Sequence, residues 1–159
     1  LNLRLAPWLK AIADVLTQGA LLFVDYGYTA AEYYHPERTT GTLMCYHRHQ
    51  AQANPYKHIG QQDITAHVNF SDLAHAALDQ GFELAGYSTQ AHFLLANQLE
   101  NLLTPLLQTQ DGSELATLAG VKQLTLPTAM GERFKAIGFN HNIHLAWQGF
   151  RNHNLCAYL

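Results

Sequence analysis

Apolar residues recur at Leu9, Ile12, Ala13 and Leu16 with Trp8 alongside, the spacing of one helix face, and Pro7 suits the first turn because its missing N–H needs no partner there. Gly19 is expected to stop that helix. The pattern then changes: Ala20-Leu21-Leu22-Phe23-Val24 is continuous rather than alternating, which predicts a strand buried on both faces. Helix, glycine and buried strand form the αβ half of a parallel α/β sheet. This order puts Asp25-Tyr26-Gly27-Tyr28 at the carboxyl end of the strand, where such sheets keep their ligands.

Residues 29–40 are polar and predict a loop with one helical turn, and 42–49 read as a strand with Leu43, Cys45, His47 and His49 on one side. Asn54-Pro55 and Gly60 mark a loop over 50–62. Asn69 or Ser71 caps a helix carrying Leu73, Ala74, Ala77 and Leu78, closed by Gly81, and a strand follows over 82–87. Leu94, Leu95, Leu99, Leu102, Leu103 and Leu106 predict one long helix over 90–107, kinked or ended by Pro105, with its leucine stripe packed in the core. A turn at 111–113, a short helix over 113–123 and a strand over 133–139 complete the pattern; 143–159 has no clear period. The expected class is α/β, with three or four strands.

Composition narrows the function. At 159 residues, 48% hydrophobic and 13% charged, the chain is at most one domain, and its charge lies well below the ~25% of ordinary soluble domains. A net charge of -3 without a basic face speaks against nucleic acid. Cys45 and Cys156 fit no disulfide scaffold or zinc spacing, so a reducing, cytoplasmic location is expected. No apolar run approaches the ~20 residues of a membrane span.

Four blocks carry a resemblance: residues 19–28 (Gly-Ala-Leu-Leu-Phe-Val-Asp-Tyr-Gly-Tyr), 63–70 (Asp-Ile-Thr-Ala-His-Val-Asn-Phe), Thr89-Gln90 with Phe93-Leu94, and 130–135 (Met-Gly-Glu-Arg-Phe-Lys). In this order they resemble the MidA-like proteins, class I S-adenosylmethionine-dependent methyltransferases related to a mitochondrial complex I assembly factor that methylates an arginine of a partner subunit. The resemblance runs from Gly19 to about Phe139. It implies that residues 1–159 are the C-terminal portion of one Rossmann-like domain. Residues 21–25, 82–87 and 133–139 would be its fifth, sixth and antiparallel seventh strands, and 42–62 a family-specific insertion. The glycine-rich cofactor loop would lie upstream of Leu1, and no Gly-x-Gly turn occurs in the chain. This portion alone is thus expected to bind S-adenosylmethionine weakly or not at all, and to self-associate through the edge of 21–25 that a fourth strand would cover.

The resemblance implies a protein substrate and an arginine acceptor. A guanidinium is held by carboxylates and aromatic faces, so Asp25 is the candidate catalytic carboxylate, with Tyr26 and Tyr28 binding substrate beside it. His67 is the second catalytic candidate, because imidazole titrates near neutral pH. Thr65, His47, Arg48 and Gln90 are candidate substrate contacts. Each has a plainer role available: Asp25 capping a turn, the tyrosines packing on the sheet edge, His67 and Thr65 satisfying backbone groups. Asn69 stands where the family more often has Asp, which suits capping but supplies no charge. Two rival classes remain, a non-catalytic partner-binding module and a metal-dependent hydrolase using His47, His49 and one of His35, His58 or His67.

Overall fold

The computed structural model describes residues 2–48, 50–106, 108, 112 and 114–159. In chain order its elements are α1 (Leu5–Val15), β1 (Gly19–Tyr28), α2 (Ala30–Tyr33), β2 (Met44–His47), β3 (Gln50–Gln52), β4 (Asp63–Thr65), β5 (Val68–Asn69), α3 (Phe70–Leu78), β6 (Glu83–Thr89), α4 (Gln90–Ala96), α5 (Leu99–Leu106), α6 (Glu114–Thr125) and β7 (Phe134–His141). Short 3-10 turns at Gln148–Phe150 and Cys156–Tyr158 end the chain. The main sheet has the order β5-β1-β7-β6, mixed as the α/β reading expects, and a second sheet has the order β3-β2-β4.

β7 runs antiparallel between β1 and β6, pairing with β1 from Gly19–His141 to Tyr26–Phe134 and with β6 from Glu83–Asn140 to Thr89–Lys135. Directly paired residues share a face, so Leu21, Phe139 and Leu84 form one row and Phe23, Ile137 and Tyr87 the next. These rows meet Leu9 of α1 and Phe70, Leu73, Ala74 and Ala77 of α3 to make the core. Phe139 and Ile137 are wholly buried there, each such side chain contributing ~1.5–3 kcal/mol over leaving it in water. Asn69 caps α3 through its side-chain oxygen, which accepts from the N–H groups of Ser71 and Asp72.

The opposite face is covered by the C-terminal tail over β6 and β7 only. Phe150 lies on Gly86 and Gly138, where an added Cβ would stand 2.1 and 2.7 Å from its ring. Trp147 donates its indole N–H to Asn140 Oδ1 at 2.8 Å and anchors the same segment. Over β1 this face is open: Leu22 and Val24 are 44% and 46% exposed. The expectation of a strand buried on both faces therefore holds on one face only. Along the edge away from β7, β5 pairs in parallel at Gly27–Val68 and Tyr28–Asn69 alone.

Three other expectations are corrected. α1 ends at Val15 with Leu16 already extended, so Gly19 opens β1 rather than closing the helix. The loop over 50–62 contains a strand, and 44–65 form a three-stranded antiparallel sheet with pairs Cys45–Gln52 and Cys45–Ile64. The long helix breaks at Gln98, whose φ of 61° no helix tolerates, and α4 and α5 diverge there. No residue of α5 is buried, and Leu95 and Leu102 are more than half exposed, so the leucine stripe is not core. Pro105 sits in the last turn of α5, while Leu107 and, of the predicted 111–113 turn, Asp111 and Ser113 lie outside the described residues.

The glycine–Phe150 contact yields a prediction. Gly86→Ala forces the ring off the sheet and should lower unfolding stability by about 1–3 kcal/mol. In a double-mutant cycle by urea unfolding, Gly86→Ala should cost far less in a Phe150→Ala background.

Candidate active site

Near its end β1 meets β5 at Gly27, a position with no room for a side chain. A Cβ there would lie 2.2 Å from the Val68 carbonyl oxygen. The close approach draws the 66–69 segment against the strand and sets His67 between Tyr26 and Tyr28. The imidazole stacks on Tyr28 with centroids 4.9 Å apart and meets Tyr26 edge-on at 5.0 Å. Tyr26 in turn packs against Phe134, its cross-strand neighbour, at 5.5 Å. The Arg38 guanidinium covers the Tyr28 ring at 4.3 Å.

His67 is also tied to the insertion. Its backbone N–H donates to Thr42 Oγ1 at 3.3 Å, and its Nδ1 lies 3.5 Å from the Thr42 carbonyl. Burial holds its pKa below the ordinary imidazole value; the Thr42 bond and the Asp25 charge oppose that shift, and Arg38 adds to it. The ring is therefore neutral at pH 7 and able to accept a proton.

Two clefts flank this histidine. The smaller, about 530 Å³, is walled by Trp8, Phe23, Asp25, Asn69 and Asp72 among others and opens on the α1 and α3 side. The larger, about 810 Å³, lies between the sheet end and the β2-β3-β4 sheet. It combines the aromatic faces of Tyr26, Tyr28, Tyr46 and Phe134 with the carboxylates of Glu32, Asp63 and Glu132, and Arg133 and Lys135 share its lining. Lys135 donates its amine to the Glu132 carbonyl. Burial chiefly lowers its pKa, against Glu132 and Glu32, which raise it.

The structure separates residues that the sequence places together. Asp25 lines the smaller cleft and Tyr26 and Tyr28 the larger, because alternate residues of a strand face opposite ways. The Asp25 carboxylate accepts from the Tyr26 N–H at 2.8 Å. His67 lines both clefts, and Thr65 lines the larger one while donating its hydroxyl to the Met44 carbonyl. Gln90 is buried and donates to the Leu124 carbonyl, away from either cleft. His47 and Arg48 sit at the β2-β3 turn and line neither. His47 stacks face to face on His58 at 4.1 Å, an arrangement in which in-plane nitrogen lone pairs do not converge on one metal; His49 lies outside the described residues.

Sequence reasoning missed Glu32, Asp63, Glu132 and Lys135 as site residues. Signals existed: Glu32 follows Thr29 by three residues, the spacing at which a glutamate turns back to a helix start, and its carboxylate accepts from the Thr29 N–H. Asp63 opens, and Glu132 and Lys135 belong to, two of the blocks already recognised.

The comparisons with known proteins agree with this architecture. Residues 1–88 match the family described as "Putative S-adenosyl-L-methionine-dependent methyltransferase". Two crystal structures from Burkholderia thailandensis are similar to the chain, each 36% identical over 97% of it. One is a COG1565 superfamily protein, with a TM-score of 0.90. The other is a COG1565 superfamily member, "likely methyl transferase", bound to S-adenosyl-homocysteine, with a TM-score of 0.91. The chain spans 41% and 40% of their lengths. No protein of curated function matches.

The chain has no Gly-x-Gly turn, and the smaller cleft offers the Asp25 carboxylate from β1, the Trp8 indole from α1 and the amide nitrogen of Asn69, which has no hydrogen-bond partner among the described residues.

The depressed His67 pKa sets a pH dependence. A histidine harder to protonate when folded contributes stability that is present above the unfolded value near 6.5 and lost as pH falls below it. The stability difference between wild type and His67→Asn, from urea midpoints, should therefore narrow as pH is lowered from about 7.5 to about 5.5. On sequence match and structure together, the chain belongs to this family of S-adenosylmethionine-dependent methyltransferases.

Proposed function

We propose that the chain supplies the acceptor side of a MidA-like methyltransferase acting on an arginine side chain of a partner protein. The observation that carries this reading is the larger cleft, where three carboxylates, Glu32, Asp63 and Glu132, stand among the ring faces of Tyr26, Tyr28, Tyr46 and Phe134. A guanidinium is a planar cation with five donors and no acceptor, so carboxylates orient it while aromatic faces tolerate its charge. His67, neutral at pH 7 on the wall between the clefts, is placed to accept the proton an attacking nitrogen must lose. Asp25, in the adjoining cleft, would orient the reacting groups from the other side. Cys45 and Cys156 are both unpaired thiols, which accords with a cytoplasmic location. Among the described residues no helix is long and apolar enough to cross a membrane.

A second reading, a protein-interaction module, draws on α5 and α6, where Leu102, Leu115 and Leu118 are exposed. Transfer of a radiolabelled methyl group to a protein arginine by the full-length enzyme separates the two. Asp63→Asn and Glu132→Gln should each lower kcat/KM roughly tenfold or more, about 1.4 kcal/mol or above. A folded full-length protein that transfers no label supports the interaction module instead.

The 159-residue chain alone is expected to bind S-adenosylmethionine weakly or not at all and to self-associate through the unpaired edge of β1. Micromolar affinity by calorimetry would overturn the first expectation, and a monodisperse monomer by light scattering at micromolar concentration the second.

A further inference from the structure

His92 and His153 are far apart in sequence, yet their rings stack at 3.8 Å, only 9° from parallel. His92 stands in the first turn of α4, its Nδ1 2.7 Å from the Thr89 hydroxyl and 3.9 Å from the Glu132 carboxylate. His153 arrives on the tail, its Nδ1 3.2 Å from Ser88 Oγ. The tail is stitched to β6 beside it: Leu155 donates its N–H to the Tyr87 carbonyl at 2.7 Å, and Asn154 Oδ1 accepts from the Tyr87 N–H. The stacked pair thus joins the tail, the end of β6 and one carboxylate of the larger cleft.

Two imidazoles this close resist being charged together, whereas a carboxylate beside them favours one proton on the pair. His153 shows both influences: burial and then His92 lower its pKa, and Glu132 raises it.

We infer that the stacked His92–His153 pair controls whether Glu132 is available to a cationic acceptor, so that the larger cleft binds a guanidinium more tightly above the imidazole titration range than below it. The inference rests on the reading of that cleft as the acceptor site. When the pair carries a proton, the 3.9 Å contact becomes an ion pair and the carboxylate's charge is spent on His92. When the pair is neutral, the charge faces the cleft. The other charged or imidazole groups of this cleft are Lys135 on β7, adjacent Arg133, Glu32 from α2, which acts with Glu132 on Lys135, Asp63 on β4, and His67, which His92→Gln leaves in place. Ser88 and Thr89, which hold the rings, are uncharged, and Arg151 lies two residues before His153 on the exposed tail.

Calorimetric binding of an end-blocked Gly-Arg-Gly tripeptide to the full-length protein at about pH 5.5 and about pH 8 tests this. Wild type should bind about fivefold tighter at the higher pH. His92→Gln should bind at both pH values with the higher affinity, and Glu132→Gln weakly at both. Binding whose pH dependence survives in His92→Gln overturns the inference alone, and no binding at either pH overturns the acceptor reading and the inference with it. Independently of ligand, the imidazole proton resonance of His153 should titrate at a lower pH in Glu132→Gln, because the carboxylate that favours its charged form is gone. An unchanged midpoint refutes the coupling.

Discussion

The antiparallel insertion of β7 between β1 and β6 is the interaction on which the molecule depends. β1 and β6 point the same way and are not paired with each other; β6 takes its ladder hydrogen bonds from β7, and β1 does so from Gly19 to Tyr26. The same pairing lines up Phe23 with Ile137 and Tyr87, and Leu21 with Phe139 and Leu84, so α1 and α3 have a continuous apolar surface to cover. On the reverse face it brings Gly86 and Gly138 side by side, and that gap admits Phe150 and holds the tail. Core, tail and site geometry all follow from one strand's register.

Elements that announce themselves locally were legible in the sequence. The apolar run before Asp25, the strand after Gly81 and the Asn69 cap each carry their own chemical signature, and the structure places them within a few residues of expectation. What was not legible depends on partners. β3 and β4 are three residues each, too short for a period to register, and Gln50-Ala51-Gln52 has no apolar side to show. The break at Gln98 has no glycine or proline to mark it, only a glutamine held at positive φ. The leucines of α5 have a core's spacing without a core's burial, because α5 meets α4 but none of its residues is enclosed.

The site divides the same way. Tyr26, Tyr28 and His67 come from recognisable blocks, and the structure stacks them together. The carboxylates of the larger cleft come from α2, β4 and the loop before β7, three segments that only the fold assembles. Position along a strand was misleading for Asp25: adjacency to Tyr26 in sequence means opposition in space.

That opposition gives the β1–β7 register a second consequence. A slip of one residue would turn Asp25 toward the insertion sheet and carry both tyrosines to the helix side, exchanging the contents of the two hollows while leaving the backbone ladder intact. Gly27 makes such a slip costly, since any neighbour moved into its place would drive a Cβ against the Val68 carbonyl. A residue with no side chain thus acts as the indexing pin that keeps the acid and the aromatic rings on their own sides.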